Sequence, residues 1–324
     1  MVSGVYSMIH AIHHSPLTTH HCERFPWTTP HSWIRRKSPT SSRTPTSSSK
    51  GNTRTPTTPC STRTTPGFTG LIGPVGSGKT ALCRRFSQDL GRPFDWVTFS
   101  DLVRPSNLIG SFDPTLVFKF GYSTQAFVPG PFTISALQGG VFLANEMNRG
   151  DEYVLNTLLD ALEERKLYIP ALRTWYQVDK QFYLIAAMNP NEQRGTRRLP
   201  GAVKDRIKVW VQLGYPKRAV EQKIVRTHCG EYELSAARIE SILELVHSTR
   251  EEPAVEQPAS IRSSIGIARL SAERAKRLGV PVDNTIVAQS AQLVLTEAIK
   301  MKPGRSVQSY LENLLTRVLG TTGV

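Results

Sequence analysis

The side chains most able to do chemistry lie in one glycine-rich stretch, residues 73–80, which reads GPVGSGKT. It fits the spacing G-x-x-x-x-G-K-S/T, in which the glycines let successive backbone N–H groups point at phosphate oxygens. Lys79 could reach the β- and γ-phosphates of a nucleotide, and the Thr80 hydroxyl could bind Mg²⁺. The alternative is a chance glycine-rich turn. The stretch predicts a site for a nucleoside triphosphate.

The elements on either side of this stretch suit such a site. Residues 68–72 predict a short buried strand, and residues 79–90 predict a helix that ends at Gly91. A helix N-terminus binds anions because its first N–H groups have no partner within the helix. We therefore expect a strand, a phosphate loop and a helix in that order.

Polar residues also end two later apolar runs. The run 139–146 ends with Asn145 and Glu146, and the run 182–188 is followed by Asn189 and a proline. Continuous apolar runs are typical of buried central strands, and ligands bind beyond the carboxyl ends of such strands. These polar residues are therefore candidates for the same site.

The pattern of apolar residues predicts an α/β core followed by helices alone. In residues 67–216 we also expect a strand at 94–99, a helix at 154–162, and hairpins made by 116–120 with 125–128 and by residues 167–178. Residues 217–324 predict five helices: 217–228, 236–249, 261–278, 284–301 and 307–319. In the third of these, an apolar stripe marks a buried face, with Ile261, Ile265, Ala268, Ala272 and Ala275.

Composition predicts a soluble protein of ordinary type. Hydrophobic residues make up 39% of the 324 residues and charged residues 20%, and no apolar run approaches the roughly 18 residues of a membrane span. The four cysteines have no metal-ligand spacing, which favours free thiols in a reducing compartment, the cytoplasm. They are Cys22, Cys60, Cys83 and Cys229.

The first 66 residues differ in composition from the rest, and we predict a disordered leader there. They are rich in Ser, Thr, Pro and Arg, and they carry eight Lys and Arg against one acid, Glu23. Metal binding by the histidines of this segment, an organellar transit peptide and a start codon placed too far upstream are alternatives. Because half of the net charge of +14 lies here, the charge is weak support for a nucleic-acid partner, and we predict none.

Five motifs in register resemble those of AAA+ ATPases of the MoxR type. They are GPVGSGKT at 73–80, FLANEMNR at 142–149, LLDALEER at 158–165, AMNPNEQRGT at 187–196 and LPGAVKDR at 199–206. The resemblance implies a three-layer AAA+ domain with a mostly parallel sheet, followed by a small all-α lid. It also implies binding of ATP and Mg²⁺ and assembly into a ring, usually a hexamer.

The resemblance further implies roles for single residues. Nucleotide contacts would come from Gly73, Val75, Gly76, Ser77, Gly78, Lys79, Thr80 and Ala81, and Mg²⁺ contacts from Thr80 and Asn145. Glu146 would be the base that polarises water, Asn189 the first sensor, Arg206 the arginine finger and Arg262 the second sensor. Each also has a plain reading as a surface, turn or helix residue. Arg149, Arg197 and Arg198 are rivals for the finger.

Three departures from the family pattern qualify these roles. Asn145 stands where the family has an aspartate that holds Mg²⁺-bound water, which predicts weaker Mg²⁺ binding and slower turnover. The leader stands where the family has a helix and loop that wall the adenine pocket. Gly201 stands where a glutamate is usual, and we have no physical account of it.

Two classes of function fit the sequence. The favoured one is an ATP-driven remodelling ATPase that matures or activates client proteins, often metal enzymes or proteins with a von Willebrand A domain. The alternative is a nucleotide-binding scaffold whose hydrolysis is impaired by Asn145. A DNA-dependent ATPase would rest only on the basic charge, since the sequence shows no helix-turn-helix, zinc finger or aromatic-basic platform.

Overall fold

The first half of the structure is built around a parallel sheet of five strands. The computed structural model describes residues 67–189, 198–230 and 234–321. In chain order the strands are β1 (Gly67–Ile72), β2 (Phe94–Thr98), β3 (Gly110–Phe112), β4 (Phe127–Pro129), β5 (Val141–Asn145), β6 (Lys166–Ile169), β7 (Thr174–Gln177), β8 (Tyr183–Met188), β9 (Val209–Gln212), β10 (Val255–Gln257) and β11 (Lys300–Met301). The parallel sheet has the order β2-β5-β8-β1-β9.

The helices form two groups. Those around the sheet are mostly short, and those that follow it in the chain are longer. They are α1 (Lys79–Asp89), α2 (Pro105–Ile109), α3 (Pro114–Phe120), α4 (Pro131–Gln138), α5 (Glu152–Asn156), α6 (Leu159–Glu163), α7 (Gly201–Arg206), α8 (Arg218–His228), α9 (Ala236–Glu251), α10 (Ile261–Leu278), α11 (Asn284–Ala298) and α12 (Val307–Leu319).

The sheet is buried on both faces because the side chains of its central strands alternate between two cores. In β5, Val141 and Leu143 pack on the side of α1, together with Phe86. Phe142 and Ala144 pack on the other side, with residues of α4, α5, α6 and α7. Apolar side chains on both faces explain why these strands read as continuous apolar runs. The predicted three-layer α/β fold is confirmed.

The helices α8–α12 bury a third core of their own. Ile261, Ala268, Ala272 and Ala275 of the predicted stripe are buried, and Ile265 packs against the same core as a partly buried residue. This small helical part was predicted as the lid, and its helices begin and end within a few residues of the predicted limits. The exact domain limits, 67–216 and 217–324, stay a prediction. Across the described ranges, none of the helices combines the length and apolar character needed to span a membrane.

One predicted hairpin is wrong in its strands. Residues 116–120 lie in helix α3, and the antiparallel pair is β3 with β4. Asp113 caps the helix by accepting a hydrogen bond from the Leu116 N–H at 3.0 Å, and Pro114 occupies the first turn, where its missing N–H costs nothing. The Asp-Pro pair is thus a start signal that outweighs the β-type residues after it.

Two further predictions needed adjustment. The helix at 154–162 is split into α5 and α6, because the Thr157 hydroxyl donates to the Val154 carbonyl at 2.6 Å and competes with the backbone pattern. The helix at 284–301 ends at Ala298, since Lys300 and Met301 form an antiparallel pair with β10. The part after residue 217 is therefore not helix alone. The predicted strands at 68–72 and 94–99 and the hairpin at 167–178 are confirmed.

Candidate functional site

The glycine-rich loop joins the end of β1 to the start of α1, as predicted. Gly76 and Gly78 have φ values of 72° and 88°, in the left-handed region that favours glycine. The Gly73 N–H donates to the Met188 carbonyl of β8 at 3.2 Å, which ties the start of the loop to the neighbouring strand. The two glycine conformations and this hydrogen bond therefore help to fix the shape of the loop between β1 and α1.

Lys79 lies over the inside of this loop. Its ammonium group donates to the Gly73 carbonyl at 2.8 Å and to the Pro74 carbonyl at 2.9 Å. The Ser77 hydroxyl is buried and has no hydrogen-bond partner among the described residues. A positive charge and an unsatisfied buried hydroxyl beside a helix N-terminus suit a polyanionic ligand. Thr80 and Ala81 follow directly in the first turn of α1.

The strand register gathers the other candidate residues at the same edge of the sheet. Asn145 pairs with Ala187, and Met188 pairs with Ile72, the last residue before the loop. Glu146 and Asn189 each follow the carboxyl end of one of these neighbouring strands, and Asn189 is 8% exposed. The edge that carries Lys79 therefore also carries Asn145, Glu146 and Asn189.

Glu146 has an unusual backbone. Its φ of 53° and ψ of 41° lie in the left-handed region, which costs a residue other than glycine about 1 to 3 kcal/mol and is common at functional sites. Arg165 and Arg173 share a positive φ, both in or beside the β6–β7 hairpin. The Glu146 carboxylate forms an ion pair with Arg149 at 3.0 Å. The turn thus aims a carboxylate away from the strand while Arg149 holds it.

Asn145 is anchored by the strand beside it. Its side-chain amide donates to the Thr98 hydroxyl at the end of β2 at 3.1 Å, so its amide oxygen remains the group able to accept from a ligand. Thr98 was not predicted as part of the site. The sequence indicated only that Thr98 lies near the end of an expected strand. That position does not show which strand is its neighbour.

The helix that carries Arg262 begins beside the glycine-rich loop. Arg262 is the second residue of α10, it is exposed, and it follows Ser260. Ser260 lies against the glycine-rich loop, since a Cβ added to Gly76 would be 2.6 Å from the Ser260 Cβ. The start of α10 and the loop are therefore direct neighbours, and Arg262 lies two residues after Ser260.

Arg206 lies elsewhere. It ends α7, three residues before β9, and therefore lies toward the amino end of that strand, away from the loop. Its guanidinium forms an ion pair with Glu163 of α6. Of its rivals, Arg149 pairs with Glu146, and Arg198 is exposed in an irregular segment. Arg197 lies outside the described residues, as do the leader and most of the motif 187–196.

The strand order and the phosphate loop define the AAA+ class of proteins. Residues 70–207 match the family AAA domain (dynein-related subfamily). A solved structure of the RuvB P216G mutant from Thermotoga maritima has a similar fold, with a TM-score of 0.50 and 15% identity over 80% of this chain and 76% of that one. Residues 70–207 are thus similar to an AAA domain in sequence and in fold.

Proteins of the MoxR type are among those to which this chain is similar, which supports the resemblance seen in its motifs. The chain is similar to Gas vesicle ATPase GvpN of Ancylobacter aquaticus, 29% identical over 65% of this chain and 62% of that protein. It is also similar to Chaperone MoxR1 of Mycobacterium tuberculosis, 30% identical over 48% of this chain and 38% of that protein. The chain spans 56% to 64% of the length of three such curated relatives.

Proposed function

We propose that this protein is an AAA+ ATPase that binds and hydrolyses ATP to remodel a partner protein. The observation that carries the proposal is the single sheet edge that holds Lys79, Glu146 and Asn189, with the start of α10, the helix of Arg262, against the same loop. Transfer of a phosphoryl group to water uses a cation that binds the phosphates, a carboxylate that polarises the water and an amide that orients it. The names of the relatives, an ATPase and a chaperone, support this function.

In the proposed mechanism each side chain has one defined role. Lys79 and the loop amides bind the β- and γ-phosphates and keep them fixed. The Glu146 carboxylate accepts a hydrogen bond from the attacking water and polarises it, while the Asn189 amide orients that water or the γ-phosphate. Arg262 of the same chain and Arg206 of a neighbouring subunit stabilise the charge that spreads over the transferred group.

Thr80 and Asn145 would hold the Mg²⁺ that accompanies the nucleotide. Across the described ranges, the structure shows no group of three or more His, Cys, Asp or Glu residues able to bind a metal. Mg²⁺ is usually bound by one or two protein ligands together with substrate phosphates, so a threonine and an asparagine fit this ion. When bound, it neutralises charge on the phosphates.

We propose a homo-oligomeric ring, a hexamer by the family pattern, because Arg206 precedes the amino end of β9, whereas the loop follows the strand end that pairs with the carboxyl end of β9. The client is a protein, and a von Willebrand A domain protein is the candidate from the resemblance. The described cysteines, Cys83 and Cys229, are free thiols, which supports a reducing compartment such as the cytoplasm.

Replacing Lys79 by alanine tests the nucleotide site directly. Loss of the ammonium should weaken the binding of a fluorescent ATP analogue about 100-fold, because it removes the charge that pairs with the phosphates. The matched control is Lys276→Ala, which removes an exposed lysine of α10 and should bind as the wild type does. Equal affinities in Lys79→Ala and wild type would refute a phosphate-binding loop.

A scaffold with impaired hydrolysis is the second candidate, and Asn145 is the observation that favours it. Asn145→Asp should lower the Mg²⁺ concentration for half-maximal ATPase activity about 10-fold, since a carboxylate binds the ion more tightly than an amide. The Thr98 hydroxyl can rotate to donate to the new carboxylate, so the local structure is kept. Asn148→Asp adds the same charge nearby as a control. Identical Mg²⁺ titrations for wild type and Asn145→Asp would contradict the prediction.

A further inference from the structure

The segment before α8 and the start of α10 each contact the phosphate loop. The Tyr215 hydroxyl, in the segment between β9 and α8, donates to the Val75 carbonyl at 3.3 Å. Burial raises the pKa of Tyr215 despite the opposing charge of Arg250, so the hydroxyl keeps its proton for this hydrogen bond. Ser260 makes the second contact, against Gly76. Tyr215 and Ser260 therefore contact two successive residues of the loop, Val75 and Gly76.

Arg250, near the end of α9, contacts both of these points. Its guanidinium carbon lies 4.0 Å from the centre of the Tyr215 ring, a distance at which a cation is attracted to the ring face. Its Nε donates to the Ala259 carbonyl at 3.0 Å, directly before Ser260. One side chain, 11% exposed, thus supports the tyrosine and the start of α10 together.

A buried carboxylate fixes the position of Arg250. Glu221 of α8 is fully buried and accepts two hydrogen bonds from Arg250, at 2.7 and 2.9 Å, and one from Ser264 at 2.7 Å. His247 lies 3.0 Å from the same carboxylate. Burial alone would raise the pKa of Glu221, but these hydrogen bonds and the charges of Arg250 and His247 lower it. The carboxylate stays ionised, and its bidentate pair leaves the guanidinium one orientation.

We infer that Arg250 is a positioning residue for ATP hydrolysis. It holds Tyr215 and Ser260 against the phosphate loop, and it thereby sets the place of Arg262, two residues after Ser260. This inference rests on the proposed ATPase function. Arg250 does not touch the nucleotide, so its effect passes through Arg262 and through the shape of the loop.

Arg250→Lys is the variant that separates positioning from simple packing. A lysine keeps the charge for Glu221, but it cannot make the bidentate pair, the bond to Ala259 and the ring contact at once. We expect kcat to fall about 10-fold with a smaller change in KM, because a misplaced group costs most in the transition state. Tyr215→Phe keeps the ring for Arg250, loses only the hydroxyl, and should show a smaller fall in kcat of the same kind.

The double variant Arg250→Lys/Arg262→Ala tests the route of the effect. If Arg250 acts partly through Arg262, the double variant should be faster than the product of the two single losses predicts. Losses that simply multiply would overturn the inference. The matched control is Arg269→Lys, which alters an arginine of α10 that donates two hydrogen bonds, at 3.0 and 2.8 Å, to the His228 carbonyl away from the loop. Its kcat should equal that of the wild type.

Hydrogen exchange of the loop amides without nucleotide gives a readout that does not depend on ATPase activity. Arg250→Lys and Tyr215→Phe should speed exchange in residues 75–80, while Arg269→Lys should not. Unchanged exchange in both variants would overturn the inference. If the wild type hydrolyses no ATP, the proposed function fails, whereas the exchange result still decides whether Arg250 positions the loop.

Discussion

Glu146→Gln should slow ATP hydrolysis about 1000-fold while nucleotide binding persists, because the amide can no longer take up a proton from water. The fold should survive, since the side chain has the same size and a third of it is exposed. Steady-state phosphate release measures the first effect, and titration with a fluorescent ATP analogue measures the second. The variant would therefore separate binding from chemistry.

Two controls make this result specific for the carboxylate. Glu152→Gln removes an exposed acid at the start of α5 and should hydrolyse ATP at the wild-type rate. Arg149→Gln breaks the ion pair with Glu146 and keeps the carboxylate. Hydrolysis by Glu146→Gln at the wild-type rate would contradict the role of Glu146 as a base.

Arg206→Ala should also slow hydrolysis about 1000-fold, because a finger arginine stabilises the charge on the transferred phosphoryl group. Binding of ATP to each subunit should remain near the wild-type level, since Arg206 lies away from the loop of its own chain. Glu163→Gln is the matched control. It breaks the same surface ion pair, and such pairs contribute at most about 1 kcal/mol, so its activity should stay close to wild type.

Subunit mixing tests whether Arg206 acts on a neighbour. Lys79→Ala lacks a working nucleotide site but keeps the finger, whereas Arg206→Ala lacks the finger but keeps the site. When the two variants are co-expressed with different tags and purified through both, the mixed assembly should hydrolyse ATP although each variant alone does not. A mixed assembly that stays inactive would contradict a finger supplied from the adjacent subunit.

The candidate site could be proposed from the sequence because its main parts are local. Residues 73–80 carry their chemistry in consecutive positions, and α1 and β1 follow from the apolar pattern beside them. Asn145, Glu146 and Asn189 were found because each ends an apolar run. Which strands are neighbours was available only through the resemblance, since an apolar pattern contains no information on strand order.

The hydrogen-bond network around the buried Glu221 carboxylate could not be predicted from the sequence, and the reason is a different one. Glu221, Arg250 and Ser264 come from three helices, and each looks like an ordinary polar residue of an amphipathic helix. Their burial depends on how α8, α9 and α10 pack, which sequence spacing does not specify. Helix α3 is the opposite case, because the signal at Asp113 and Pro114 was present and the β-type residues after it received more weight than the cap.

Strand β8 is synthesised after β1, β2 and β5, and it lies between β5 and β1 in the finished sheet. While the ribosome has yet to release residues 183–188, the nascent chain can hold the phosphate loop and Glu146 but cannot join their strands in one sheet. Inserting β8 and bringing these two parts of the pocket together are therefore one event, and β9 and α10 are added only afterwards. A nucleotide that binds the pocket selects chains that have finished folding, and by mass action it stabilises them over every partly made form.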